Sequence, residues 1–366
     1  MRGLVGDTVR MARRGSCIAG AVLLLTVAGC TSSDGGGGDV AVGGGQATDP
    51  VVLDFPIAYV KRPVPVAGTP EPDARRLLDF QPGADLFVRD RASPSATDRN
   101  VTAEITQGAG DVRDVEPSFD GTKLVFALRE PLIEGADEED QPTWNLWEYD
   151  VTTRQLRRVI ESDIVAEEGH DVAPHYLPDG RIVFSSTRQR QSRAVLLDEG
   201  KPQFAAEDED RREPAFVLHV VSADGSGLRQ ISFNQSHDLD PAVLDDGRIV
   251  FSRWENAGPN NEINLYSVRP DGSQLELLYG AQSHATGTDD SEIHFLEPRQ
   301  AANGRLLVRA QPFRAVDFGG QLLEIDVANY VENTQPTLPN VGALSGPAQA
   351  PATANDVRTI EGPSPG

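Results

Sequence analysis

The sequence predicts an all-β fold, a β-propeller built from four-stranded blades. Three observations predict it. The first is self-similarity at long period: Pro174 opens PHYLPDGRIVFSSTR and Pro241 opens PAVLDDGRIVFSRW. The second is a companion motif behind each copy, NLWEYDVTTRQLRRVI from Asn145, VLHVVSADGSGLRQIS from Val217 and NLYSVRPDGSQLELLYG from Asn264. The third is that the central runs Leu124-Val125-Phe126, Ile182-Val183-Phe184, Ile249-Val250-Phe251 and Leu306-Leu307-Val308 are apolar without alternation. A strand apolar on both faces must be covered on both faces. Blades stacked face to face do that, whereas a two-layer sandwich predicts alternation.

Taken in order, the units span 53–110, 111–166, 167–235, 236–285 and 286–333. Unit one reads as IAYVKRP from Ile57 and DLFVRDR from Asp85, with no clear first strand. Unit two carries PSFDGTKLVFALR from Pro117, which matches with one residue deleted before the apolar run. Units three and four are the strongest copies. Unit five is weaker, with PRQAANGRLLVRA from Pro298 and QLLEIDVANY from Gln321. Asp179-Gly180 and Asp246-Gly247 form the hairpin in the first half of a unit, and Asp224-Gly225 and Asp271-Gly272 that in the second. Asp-Gly suits tight hairpins because both residues tolerate positive φ. Five units followed by a Pro-, Ala- and Gly-rich stretch read as an incomplete or shortened form of a six-bladed ring. Val357–Ile360 is the one segment beyond them that could serve as a closing strand.

The pattern Pro-x-x-x-x-Asp-Gly-x-Ile-x-Phe, followed by Asn-Leu-Tyr-x-x-x-x-Asp-Gly-Ser, resembles the propeller repeat of TolB. The wording DLDPAVLDDGRIVFSRW and DLFVRDRASPSATDRNVT is similar to the propeller region of hydrazine synthase alpha-subunit-like proteins. The resemblance covers about residues 53–335 and implies a periplasmic propeller. It transfers no reaction: in that family the redox chemistry belongs to c-type haem domains beyond the propeller, and this sequence contains no Cys-x-x-Cys-His.

The N-terminus points the same way. Arg10, Arg13 and Arg14 precede an apolar run from Ile18 to Val27, which is short of the roughly 20 residues a membrane-spanning helix needs. Val27-Ala28-Gly29-Cys30 then ends a secretory signal and resembles the lipobox of bacterial lipoproteins. The resemblance implies cleavage before Cys30 and lipidation of its sulfur. Thr31 in place of aspartate implies the outer membrane, facing the periplasm. The expected organisation is therefore a signal over 1–29, lipidated Cys30 with a Gly/Ser-rich tether over 30–50, a propeller over 51–333 and a tail over 334–366. A tether of this composition reaches about 25 Å as a random coil.

The whole chain carries 33 basic and 56 acidic side chains, net −23. Losing residues 1–29, with four arginines and one aspartate, takes the net charge to about −26. Binding to nucleic acid rests on neutralising phosphates, so nucleic acid is excluded as a partner. Cys17 and Cys30 are the two cysteines, which leaves the mature chain no cysteine metal ligand.

Histidines recur at one register: His170, His237 and His294 each stand four residues before the repeat proline, with Asp171, Asp238 and Asp240 nearby. Histidine with carboxylate suits zinc or another divalent metal, and this is the sharpest site the sequence offers. The competing reading is hydrogen-bonded stitching between blades. The acidic inserts Glu134–Asp140 and 207–210 read as solvated loops. Trp144, Trp147 and Trp254 read as blade core. The one Gly-x-Ser-x-Gly match, at 362–366, lies with two prolines in the Pro-, Ala- and Gly-rich stretch and not between a strand and a helix, and no catalytic set stands out. The expected function is thus a lipid-anchored binding or scaffolding module for a protein partner at the cell envelope, with no catalysis or cofactor of its own. The alternatives are an accessory or shortened member of the hydrazine-synthase-alpha-like family lacking its haem domains, and a metal-dependent enzyme with a site at the channel mouth.

Overall fold

A computed structural model describes residues 55–64, 73–93, 95–208, 211, 214–257, 260–285, 292–314, 320–332 and 348–352. Cys30, the tether and Val357–Ile360 lie outside the described residues. All of the described residues belong to the unit that runs from Asp49 to Gly366.

Five antiparallel sheets follow one another along the chain. Blade one holds β1 (Ile57–Lys61), β2 (Asp85–Arg89) and β3 (Arg99–Asn100). Blade two holds β4 (Asp111–Pro117), β5 (Lys123–Arg129), β6 (Trp144–Asp150) and β7 (Leu156–Arg158). Blade three holds β8 (Asp171–Tyr176), β9 (Ile182–Ser186), β10 (Val217–Val221) and β11 (Arg229–Gln230). Blade four holds β12 (Asp238–Val243), β13 (Ile249–Ala257), β14 (Asn260–Val268) and β15 (Glu276–Tyr279). Blade five holds β16 (His294–Gln300), β17 (Leu306–Gln311), β18 (Gln321–Ile325) and β19 (Gln349–Pro351). The expected fold class holds, and blade one does lack its innermost strand. Strand β19 comes from inside the stretch expected to be a tail: it pairs with β18 and completes blade five.

The doubly apolar strands are covered on both faces, as their composition requires. Val125–Leu128 of β5 and the whole of β9 are buried. Phe126, Phe184 and Phe251 occupy the same place in three blades and are fully buried, each worth about 1.5–3 kcal/mol against exposure. Four apolar clusters each join two neighbouring blades. Leu86 and Val88 of blade one pack with Val112, Phe126 and Trp147 of blade two. Val125 and Leu146 pack with Phe184 and Val221, Val183 and Leu218 with Phe251 and Val268, and Val250 and Tyr279 with Phe295 and Val308. Between blade five and blade one, the described apolar packing runs through Ala74 and Leu77 of the β1–β2 connection, against Leu296 and Phe313. Trp144 and Trp254 are fully buried and Trp147 nearly so.

One repeat assignment needs correction. Every innermost strand carries a bulge, with register shifts at Arg113/Glu116, Val172/His175, Leu239/Ala242 and Leu296/Arg299. These bulges align Val115, not Pro117, with Pro174, Pro241 and Pro298. Val115 to Gly121 then has the same spacing as Pro174 to Gly180, but Gly121 to Phe126 is one residue longer than Gly180 to Phe184, so unit two carries one residue more before the apolar run and not one fewer. The sequence match misled because a proline happens to stand two residues further on.

A short α1 (Ala103–Thr106) and α2 (Asp163–Ala166) link blades, and α3 (Arg190–Asp198) lies in the insert of blade three. Among the described residues no helix is long and apolar enough to cross a membrane.

Candidate functional site

The innermost strands β4, β8, β12 and β16 bring one residue each to a common cavity, and the bulge explains how. Proline cannot donate to a strand ladder and is tolerated at bulges. The residue before that place adopts positive φ: Asp114 (56°), which precedes Val115, and Ala173 (50°), Asp240 (50°) and Glu297 (51°), which precede proline. These residues, with Val115, Pro174, Pro241 and Arg299, line a cavity of about 250 Å³. Three of the four bulge residues are acidic. Asp114 Oδ2 accepts the Ala173 N–H at 2.9 Å and Asp240 Oδ2 accepts the Glu297 N–H at 3.3 Å, so two of the carboxylates also stitch their blade to the next. Blade three has alanine at this place and offers no carboxylate to blade four.

The cavity is electrostatically mixed. Arg113 Nε donates to Asp114 at 2.9 Å, and Arg309 donates to Glu297 at 2.8 Å. Burial, together with the charges of Glu297 and Asp114, pushes Asp240 up to about 6 against the pull of Arg309 and Arg113. One step along the strands, Glu116 meets His175 Nε2 at 3.1 Å and Arg299 at 3.4 Å. His175 Nδ1 lies 2.9 Å from the Tyr176 carbonyl, so both ring nitrogens face oxygen. Burial raises the Glu116 carboxyl, but the hydrogen bond and charge of His175, with Arg299, outweigh it and hold it below the usual range.

Among the described residues, His170, His237 and His294 are not gathered into one metal-holding group. Each histidine Nδ1 accepts a backbone N–H from the preceding blade: Trp144 at 3.1 Å, Phe216 at 3.2 Å and Ile263 at 3.3 Å. Asp111, at the same register in blade two, accepts the Gln81 N–H in the same way at 2.7 Å. Burial holds His170 down to about 3, with the charge of Arg129 adding to it; it holds His237 down to about 4. His294 is held to about 3 by burial, then by His284 and Arg75. A neutral ring that accepts on Nδ1 carries its proton on Nε2, so neither nitrogen has a lone pair left for a metal. Asp171 is spent on Arg188, at 2.5 and 3.1 Å. Asp238 accepts from Asn234 at 3.2 Å and lies 3.7 Å from Arg253. Among the described residues no group of three His, Cys, Asp or Glu is placed to hold a metal ion.

One mouth of the channel is plugged. The connection between β1 and β2 lays Leu77, Leu78 and Phe80 against Trp144, Val172, Phe216 and Leu239. Ala74 and Leu77 also pack with Trp254, Ile263, Leu296 and Phe313. Arg113 donates to the Leu77 carbonyl at 3.0 Å, and the Ala74 N–H donates to the Phe313 carbonyl at 2.8 Å.

The plug belongs to a wider asymmetry. In every blade the connection between the second and third strands leaves on the plugged rim. The second strands end there at Lys61, Arg129, Ser186, Ala257 and Gln311, with α3 following in blade three. The opposite rim has tight turns at 118–122, 177–181, 244–248 and 301–305. The inserts carry exposed Leu132, Ile133, Val195, Leu197 and Phe204. The structure thus finds Asp114, Glu297, Glu116, His175 and Arg299 where sequence reading had stopped at the histidines. Their one sequence signal was adjacency to the repeat proline.

No family model matches the chain, and no curated protein matches it. Among solved structures, hydrazine synthase from Kuenenia stuttgartiensis matches with a TM-score of 0.56 and 15% identity, over 83% of this chain and 40% of that one. The likeness is one of fold. The chain is a β-propeller that spans about two fifths of the hydrazine synthase chain's length. A putative TolB from Agrobacterium tumefaciens matches at TM-score 0.36 and 15% identity, over 55% of this chain and 59% of that one. TolB from Acinetobacter baumannii matches at 0.31 and 12%, over 74% and 66%.

Proposed function

We propose that this chain is a lipid-anchored binding propeller of the cell envelope, docking a protein partner through its insert-bearing rim. One observation carries the reading: the long connections of blades one, two, three and five leave on the same rim as the β13–β14 hairpin of blade four, while residues 74–80 pack across the innermost strands there. Function on a propeller resides in loops held by a rigid disc. The exposed Leu132, Ile133, Val195, Leu197 and Phe204 stand beside the acidic run Glu134–Asp140. That surface suits an apolar patch rimmed by basic side chains. The proposal assigns no catalytic step to the chain.

A photoreactive amino acid at Leu132 or Leu197, in cells, tests this reading against the same residue at Leu275 on the opposite rim. The expected result is one discrete adduct from each insert position, lost when Ile133→Asp is added. Equal labelling from both rims would sink the proposal.

The match to hydrazine synthase, over most of this chain, favours a second reading: an accessory or shortened member of that family that serves a haem-bearing partner. A haem absorption band in the adduct caught through Leu197 supports it, and a haem-free adduct rejects it.

A further inference from the structure

Blade one has three strands in the order β1-β2-β3, and among the described residues nothing pairs with the outer edge of β1. The repeat identifies which strand is vacant. IAYVKR at 57–62 matches LVFALR at 124–129, and DLFVRD at 85–90 matches NLWEYD at 145–150. Strand β1 therefore holds the second-strand place, and the innermost place is empty. Burial agrees: β5 is buried through its middle by β4, whereas every residue of β1 from Ile57 to Val60 is only half-buried.

The sequence carries one further copy of an innermost strand. DVRTIE at 356–361 repeats DVRDVE at 111–116, with Asp, Val, Arg and Glu identical and isoleucine for valine. It also stands where the repeat calls for one, since each outermost strand is followed by the innermost strand of the next blade and β19 ends at Pro351. Five residue steps reach about 17 Å, which matches about 17 Å for three interstrand spacings, about 14 Å in all, combined with the roughly 10 Å between packed sheets. The link from Gln230 to His237, between blades three and four, takes seven steps.

We propose that residues 356–361 dock along the free edge of β1 as the innermost strand of blade one and supply the missing wall of the channel. The β4–β5 register transfers directly. Val112 lies opposite Leu128 and Arg113 opposite Ala127, which places Val357 opposite Lys61 and Arg358 opposite Val60. Asp356 then faces Arg62 as Asp111 faces Arg129. Thr359 takes the bulge place of Asp114, and Glu361 enters the layer of Glu116, His175 and Arg299. Val357 and Ile360 cover the half-exposed Ala58 and Val60. The five blades then have four strands each.

The test is a cysteine pair in the full chain, Lys61→Cys with Val357→Cys, oxidised and mapped by peptide mass so that Cys17 and Cys30 are distinguished. Facing strand residues have the Cα separation a disulfide requires. The expected product is an intrachain 61–357 disulfide in monomer, far in excess of that from Lys61→Cys with Ser364→Cys. Equal linkage to position 364, or linkage between two chains, overturns the proposal, the latter by making a second copy the occupant. Independently, ending the chain at Ala352 should lower Tm by several degrees. A peptide spanning 353–366 should restore it, and one carrying Val357→Asp should not. An unchanged Tm also overturns the proposal.

Discussion

At the scale of single residues, the side chains that look most like ligands are structural acceptors. His237 accepts the Phe216 N–H while its ring packs between Phe216 and Trp254. Removing the acceptor leaves a buried N–H bare, at a cost of about 1–3 kcal/mol. His237→Leu should therefore lower the urea midpoint at pH 7.5. Its folded value, about 4, lies below the ordinary 6.5. The unfolded chain thus takes up the proton first, and this stability is present above pH 6.5 and lost as pH falls toward 4. The penalty of His237→Leu should shrink at pH 5, and an equal penalty at both pH values would refute the assignment. Asp240 has the opposite sign. Its folded value of about 6 lies above the ordinary 3.8, so its contribution is present at low pH and lost as pH rises through 6. Asp240→Asn keeps an acceptor for the Glu297 N–H and should raise Tm at pH 8, with the gain vanishing near pH 4.

At the scale of elements, chemically alike hairpins differ in what lies beneath them. Gly180 (φ 85°) and Gly225 (φ 80°) both follow aspartate and both adopt the left-handed region. A Cβ on Gly180 meets nothing, because the hairpin between first and second strands is open to solvent. A Cβ on Gly225 falls 2.3 Å from the Val159 carbonyl, because the hairpin between third and fourth strands rests on the neighbouring blade. Gly180→Ala should cost about 1 kcal/mol, for backbone strain alone. Gly225→Ala should cost clearly more, and chemical denaturation of the two variants separates the cases. The bulges show the same dependence on neighbours: Pro174, Pro241 and Pro298 call for an irregular strand, but only the assembled ring turns Asp114, Asp240 and Glu297 toward one cavity.

At the scale of the whole molecule, the propeller is bonded blade to blade. Ser185 Oγ donates to the Asp238 carbonyl and Ser252 Oγ to the Phe295 carbonyl, each at 2.9 Å, repeating one stitch along the ring. The proposed lipid anchor is tested at Cys30. Cys30→Ser should move the protein from the membrane fraction to the soluble periplasmic fraction without changing its Tm. Retention in the membrane after that change would show that another contact holds it there.

Much of the fold was legible in the sequence, and for a physical reason. Strands that must be covered on both faces recur in units two to five, Asp-Gly turns in units two to four and the proline in units three to five, and all three are local signals. The sequence by itself determined the fold class, the five units and the missing first strand of blade one. The tertiary structure decided the rest. It showed that His170, His237 and His294 spend their lone pairs on neighbouring blades, that Val115 holds the proline place, and that residues 349–351 finish blade five. It also brought the carboxylates of three blades to one cavity and gathered the long connections on one rim. These facts depend on which groups meet across blade interfaces, and such meetings join residues far apart in the chain whose local sequence carries no record of one another.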